Sequence, residues 1–286
     1  MEVVKCWKCE LPSEITIQAS GFFCSSCFVE YFRQKYRKII GASKLIRDRD
    51  LVVFAFDGSA SGCAMLNVIS TFQQHFAKAN SENMNYKRKN RYITKALHMT
   101  DSCNERVKTA LESSGIEYVV FSPSEEMKEK YEKQCFKIER FGDETENEFN
   151  KKSLQMELLV DKAKEMNAQF LMLSSHVESL AAKTLSVVSL GLGEEIQATA
   201  GLCHTYNGLR ILKPFREMTK KEIDFYVNAT CGEGILPEEN KEEEDQSSIK
   251  SIQSLAAKFL SDLNSQGKDS NPSAIVRLSN KLKMKS

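Results

Sequence analysis

Apolar and polar positions change their period along this chain in a regular way. Residues 51–56, Leu-Val-Val-Phe-Ala-Phe, form an unbroken apolar run of strand length, the pattern of a strand covered on both faces. Weaker runs at 92–98, 117–121, 170–173 and 209–212 have the same character. Between them, 62–77, 103–113, 152–166 and 179–190 place apolar residues at helical spacing, and 220–226 reads as the last helix of the series. Strands alternating with helices predict βαβ units. The expected α/β fold, spanning 50–231, is a Rossmann-like parallel sheet with helices on both faces. No internal repeat is visible.

The flanks read differently. Residues 28–40 predict an amphipathic helix with Arg33, Lys35, Arg37 and Lys38 among Tyr31, Phe32 and Tyr36. Such a helix can grip an RNA backbone through phosphate contacts and aromatic stacking. Equally, its aromatics can pack on the next domain while its charges are solvated. The segment 80–91 carries Lys87, Arg88, Lys89 and Arg91 and reads as an exposed basic loop, a second candidate RNA contact. Beyond residue 231 the composition turns acidic, with Glu238, Glu239, Glu242, Glu243, Glu244 and Asp245 in a predicted linker at 232–247. A last helix follows over 248–263, with Ile249, Ile252, Leu255, Ala256, Phe259, Leu260 and Leu263 on one face expected to dock on its own domain. The Ser-, Asn- and Lys-rich remainder of 248–286 is expected to be poorly ordered.

Composition narrows the class. With 286 residues, 41% hydrophobic and 28% charged, the chain resembles an ordinary globular protein and can hold one large core. No apolar run approaches the ~20 residues that span a bilayer, so no membrane role is expected. The first residues lack the apolar core of a secretory signal, and the chain is expected in the cytoplasm or nucleus. A net charge of +1 confines any affinity for nucleic acid to local patches.

Chemistry concentrates at the N-terminus. Cys6 and Cys9 form one C-x-x-C pair, Cys24 and Cys27 a second, and fourteen residues separate the two. Each pair folds into a knuckle that aims two sulfurs at one point, and four thiolates suit tetrahedral Zn²⁺. A zinc-ribbon-like module over 1–41 is therefore expected. A closed four-thiolate site leaves no open coordination position, so the zinc is structural.

The turn after the first long strand holds Asp57, Gly58, Ser59, Ala60, Ser61, Gly62 and Cys63. Ligands of open α/β sheets bind outside the carboxyl ends of the strands, and small residues before a helix N-terminus let backbone amides approach a phosphate. The alternative is a plain strand-to-helix turn with Asp57 or Ser59 as helix cap. In order, the cysteine pairs, the basic helix, this loop, the block 175–185 (Ser-His-Val-Glu-Ser-Leu-Ala-Ala-Lys-Thr-Leu) and the block from Leu212 through Lys213, Pro214, Phe215 and Arg216 resemble a known family. Over residues 6–226 the chain resembles the second subunit of the cytoplasmic tRNA 2-thiolation complex. That family is related to PP-loop ATP pyrophosphatases, the adenine nucleotide alpha hydrolase-like proteins.

The resemblance implies tRNA as a partner, specifically tRNAs for Lys, Glu and Gln. It also implies a heterodimer with a catalytic PP-loop subunit, and a ubiquitin-related modifier protein as thiocarboxylated sulfur donor. The departures are informative. An active PP-loop reads Ser-Gly-Gly-x-Asp-Ser, and on the matching positions 57–62 only Gly58 agrees. Asp57 would aim a carboxylate at the triphosphate; like charges about 4 Å apart repel by about 4 kcal/mol at an effective dielectric of about 20. ATP binding is expected to be weak. Catalytic relatives also use a paired and a third cysteine, whereas Cys103, Cys135, Cys203 and Cys231 stand singly. Active relatives place a His-containing segment near the nucleotide where His176 falls, yet His176 also fits a capping or surface role; Lys183, further along the helix, is in reach of a phosphate or simply on a solvated face. Three readings follow: a non-catalytic thiolation subunit, an ATP-dependent tRNA sulfurtransferase with Asp57 on Mg²⁺, and a zinc-ribbon scaffold without RNA.

Overall fold

A computed structural model of the chain describes residues 4–17, 21–82, 92–100, 104–134, 143–231, 251–265, 270–279 and 281. The basic segment with Lys87, Arg88 and Lys89, the acidic linker 232–247, Cys103 and Cys135 lie outside the described residues.

The chain opens with a small antiparallel hairpin, β1 (Ile15–Ile17) and β2 (Gly21–Phe23), followed by the long helix α1 (Ser25–Ser43). Then comes the alternation: β3 (Leu51–Ala55), α2 (Ala60–Glu82), β4 (Ile93–Met99), α3 (Glu105–Ser114), β5 (Tyr118–Phe121), α4 (Glu125–Gln134), α5 (Asp143–Glu165), β6 (Phe170–Met172) and α6 (Val177–Ser189). The short α7 (Ile196–Ala200) leads to β7 (Cys203–Tyr206), β8 (Leu209–Leu212) and α8 (Lys220–Thr230), and α9 (Ile252–Ser265) and α10 (Ser270–Ser279) complete the series.

Six strands form one sheet in the order β5-β4-β3-β6-β8-β7, parallel throughout except that β7 runs antiparallel to β8. The two-residue period of β3 divides its side chains between the two faces. Val52, Phe54 and Phe56 point into a cluster with α1, α2 and α8, while Val53 and Ala55 join Val160 and Ala163 of α5 on the other face. Chain order reverses direction at β3, which is flanked by β4 and β6. The crevice outside the carboxyl ends of these two strands is where an open sheet of this kind receives ligands.

α1 is not a separate arm. Phe28, Phe32 and Tyr36, one helical turn apart, are all buried, and they share a core with Ile15 and Phe23 of the hairpin and with Phe54 and Phe215 of the sheet domain. Phe32 stacks on Tyr226 at 4.3 Å between ring centroids, Phe28 meets Phe225 edge-on at 5.0 Å, and Tyr36 stacks on Phe72 at 5.8 Å. The helix thereby joins the N-terminal module to α2 and α8.

At the other end, residues 270–279 of the segment expected to be poorly ordered form a helix. α10 buries Val276, packed with Ile275 against α6, α7 and α9, in a third cluster with Val177, Leu180, Ala181, Ala200 and Leu260. Two adjacent branched side chains outweigh the polar composition around them, and Pro272 is tolerated in the first turn of the helix, where no intrahelical amide bond is lost. On α9, Leu260 joins this cluster with Leu263 packed against it and Ala256 is also buried, while Leu255 and Phe259 of the same stripe are exposed and Ile249 lies outside the described residues.

Candidate metal centre and the loop after β3

The two C-x-x-C pairs converge. One sulfur from each of Cys6, Cys9, Cys24 and Cys27 lies within 4.8 Å of every other, and the Cys9 and Cys24 sulfurs are 3.4 Å apart. A tetrahedron built on Zn–S bonds of about 2.3 Å has edges of about 3.8 Å, so the four donors already sit at metal-binding separation. The local fold explains why. Cys6 and Glu10 close the first knuckle through Glu10 N–H to Cys6 O (3.1 Å), with Glu10 at φ +63°, and the Lys8 amide points at the Cys6 sulfur at 3.5 Å. Cys24 is the N-cap of α1 and Cys27 lies in its first turn, where the helix dipole favours a thiolate. Glu14 accepts from the Ser25 amide at 2.9 Å, tying the hairpin to the start of α1.

The electrostatics of the metal-free thiols also ask for a cation. Burial pushes the Cys6 thiol up, but the backbone amides of Cys24, Lys8 and Cys9 outweigh it and bring Cys6 down to about 6. Cys27 is pushed up to about 12, first by the Cys9 sulfur. Four thiols this close cannot all ionise on their own account. A divalent ion removes the conflict, and the residues fit one.

The predicted basic face of α1 is spoken for in part. Arg33 donates to Tyr226 Oη (3.0 Å) and to Asn67 (3.4 Å). Lys35 forms an ion pair with Glu222 at 2.8 Å, and Glu222 is only 1% exposed. Arg37 lies over the Phe72 ring at 5.5 Å to the centroid but is exposed, as is Lys38. Glu222 is the residue a reading of charge runs misses. Its signal is nonetheless present, because Thr219 and Glu222 have the Thr-x-x-Glu spacing of a capping box, and both of its hydrogen bonds form at the start of α8.

The loop after β3 is closed on itself. Asp57 Oδ1 accepts from the Ser59 amide at 3.0 Å and from Ser59 Oγ at 2.7 Å. Ser59 Oγ accepts in turn from the Gly62 amide at 3.1 Å and lies 3.0 Å from Ser61 Oγ, which makes Ser59 the N-cap of α2. Gly58, at φ +75°, supplies the turn. Two amides that could face an anion thus already have acceptors within the loop. Gly62 is bound into the same arrangement, since a Cβ there would stand 2.4 Å from Asp57 Oδ1. Gly62→Ala should therefore swing the carboxylate out of its bonds. The expected loss is about 1–2 kcal/mol, the size of a lost cap, read as a lower denaturation midpoint.

The segments that follow β6 and β8 contribute His176, Glu178, Lys183 and Lys213. His176 precedes α6 as its N-cap without a side-chain cap bond, half-buried, and burial followed by Lys220 and Lys183 lowers its pKa to about 4. It is neutral at physiological pH. Glu178, 3.9 Å from His176, accepts from the Lys220 amide, and burial raises its carboxyl to about 7. Lys183 is exposed; its surroundings and Lys152 lower its pKa, and the Asp57 carboxylate opposes them. Lys213 is 5% exposed, donates to the carbonyls of Ala198 and Thr199, and is brought down to about 7 by burial and then by Lys183 and Arg216. Cys203 and Cys231, half-buried, have pKa values raised by burial, the state of packed thiols and not of nucleophiles.

A mostly parallel sheet, helices on both faces and a small-residue loop at the strand-order reversal define a PP-loop-like α/β protein, here carrying an N-terminal four-cysteine module that could hold a metal. Over most of its length the chain is a homologue of curated proteins named cytoplasmic tRNA 2-thiolation protein 2. It is 24% identical over 274 residues to the one from Drosophila grimshawi, covering 90% of this chain and 66% of that protein. The one from Drosophila virilis is 25% identical over 290 residues, with 90% and 66% covered. A shorter match to the one from Danio rerio reaches 39% identity over 66 residues, 23% of this chain and 13% of that protein. The chain thus spans about two thirds of the length of the first two. Among solved structures it resembles a U34-tRNA thiolase from Methanococcus maripaludis described with its [4Fe-4S] cluster: TM-score 0.67, 16% identity, covering 100% of this chain and 90% of that one. An NMN synthetase from Francisella tularensis follows with a TM-score of 0.51, 10% identity and coverage of 92% and 99%. At such identities the structural likeness establishes the fold. No family model matches the chain.

Proposed function

We propose that this chain is a non-catalytic subunit of a cytosolic complex that 2-thiolates the wobble uridine of tRNA. The observation that carries the reading is the loop after β3, where Asp57 and Ser59 take up amides that a nucleotide phosphate would need. A PP-loop fold retains its shape while its phosphate cradle is filled from within. The adenylating step then belongs to a second PP-loop subunit, and this chain contributes assembly and tRNA binding. In this reading the substrates are tRNAs for Lys, Glu and Gln, and the sulfur reaches the catalytic partner from a thiocarboxylated ubiquitin-related modifier.

The four cysteines would hold Zn²⁺, whose chemistry here is to cross-link the two knuckles. Metal analysis of purified protein should return one zinc per chain with no visible charge-transfer absorption; a brown, iron-containing protein would replace this assignment by an iron site. For RNA the proposed contacts are Arg37 and Lys38 on the open side of α1, together with Lys87, Arg88 and Lys89, while Arg33 and Lys35 act through the packing of the helix.

Reconstitution decides the main point. The chain mixed with its PP-loop partner, tRNA, ATP and sulfur donor should restore 2-thiouridine, and the chain without that partner should form none. Thiolation by this chain alone overturns the proposal. Calorimetry supplies an independent check: no heat is expected with millimolar Mg-ATP, whereas submillimolar binding would favour the ATP-dependent sulfurtransferase reading.

A further inference from the structure

The N-terminal module has a feature that metal binding does not use. Trp7, the only tryptophan of the chain, sits between two metal-ligand positions and is 70% exposed. A large aromatic at that exposure is ordinarily free to swing, but this one is seated. Its amide donates to Phe22 O at 3.0 Å, which fixes the backbone against β2. Its indole rests on Gly21: a Cβ built there would come within 2.6–2.8 Å of Cδ2, Cε2 and Cε3 of the ring, and Gly21 has φ +97°, a conformation that suits glycine. One face of the ring therefore lies on bare backbone and the other is open to solvent. Lys5 and Lys8, on the same knuckle, are both exposed.

We propose that Trp7 is a stacking platform for an unpaired nucleobase of the RNA substrate, with Lys5 and Lys8 as its phosphate contacts. This rests on the tRNA-binding part of the function proposed above. The chemistry follows from the parts. Single-stranded bases bind by stacking on aromatic faces, and a ring held flat before the ligand arrives loses little freedom on binding. Lysines beside it add the sequence-independent phosphate attraction that a base platform needs. A protein partner would be expected to bury the indole edge and the neighbouring Val4 and Leu11 together, whereas a base covers chiefly the open ring face.

The single tryptophan makes the test direct. Metal-loaded full-length chain is titrated with unfractionated tRNA and with oligouridylate while intrinsic fluorescence and affinity are followed over a salt series. Stacking should quench the emission, and Trp7→Ala should weaken binding on the order of tenfold or more while leaving the slope of log K against log salt unchanged, since no counterion is released by a stacked ring. Trp7→Phe should recover part of the loss, and Lys8→Ala should lower the slope by about 1. Retained zinc and an unchanged circular dichroism spectrum show that each variant is folded; Trp7→Phe carries the test if Trp7→Ala is not. RNA binding with unquenched emission and wild-type affinity in the folded variants overturns the platform and leaves the tRNA-binding reading standing. No RNA binding at all overturns both. Emission that changes only on adding the PP-loop partner overturns it in favour of a protein contact.

Discussion

Replacing Cys24 by Ser, or stripping the metal with a chelator, should unfold the N-terminal module and destabilise the whole chain. Cys24 is 4% exposed and offers one of the four sulfurs placed to hold a metal, while Ser at this N-cap position of α1 keeps the backbone bond from the Phe28 amide at 2.9 Å, so the substitution removes the sulfur alone. The hairpin it anchors pairs only three residues per strand, too few to persist without a cross-link. Structural zinc supplies about 10–16 kcal/mol of apparent binding energy in isolated zinc-finger peptides, and a metal held by these four cysteines would put most of that into folding of the module. The damage does not stop there, because Ile15, Phe23 and Phe28 belong to the same core cluster as Phe54 and Phe215. Each such side chain returned to water costs about 1.5–3 kcal/mol. The expected result is loss of bound metal, cleavage by protease within the first 30 residues and a lower, broader thermal transition. Acid should act in the same direction, since protonation competes with the metal for sulfur. Full metal content and an unchanged melting temperature in Cys24→Ser would remove the metal from its structural role.

Much of this arrangement is legible in the residues, and what is not has definite physical reasons. The core strand β3 shows itself because a strand covered on both faces needs apolar side chains at every position, and no helix period competes with so short a run. The cysteine pairs are readable because the ligand spacing is itself the geometry. β7 is hidden: Cys203, His204, Thr205 and Tyr206 have no alternation, and an edge strand with one neighbour needs little. The turn that follows is the clue, since Asn207 and Gly208, at φ +45° and +79°, form an Asn-Gly hairpin connection. α10 is masked by composition, its buried Val276 and half-buried Ile275 outnumbered by Ser, Asn and Arg. At the loop, Asp57 announces that an anion is unwelcome. That the carboxylate takes up the Ser59 amide, and that Ser59 Oγ then caps Gly62, depends on rotamers that no one-dimensional pattern encodes. The charges of α1 are the hardest to read, because the partner of Lys35 lies 187 residues away.

That distant partner makes Lys35→Met the second large effect expected of this chain. A basic residue on a helix of mixed aromatic and cationic character invites the inference that its loss weakens RNA binding. Its surroundings assign it another task. Lys35 Nζ meets Glu222 at 2.8 and 3.0 Å, and the Glu222 carboxylate, 1% exposed, also closes the capping box of α8 through the Thr219 amide at 2.7 Å. Removing one partner of a buried pair leaves the other charge uncompensated, a loss of about 3–5 kcal/mol. Lys35 is 22% exposed and Glu222 keeps its capping bonds, so about 3 kcal/mol is expected here, a fall in melting temperature of roughly 5–10 °C. Glu222→Gln in the same chain should recover much of it, because the amide can still accept from Thr219 without burying a charge. Lys38→Ala, on the exposed side one turn later, should leave stability within about 0.5 kcal/mol while lowering the salt slope of tRNA binding by about 1. Measured side by side, the two substitutions separate the inner and outer faces of α1. If Lys35→Met proved neutral in stability and Lys38→Ala neutral in salt dependence, the assignment of one face to packing and the other to RNA would fall.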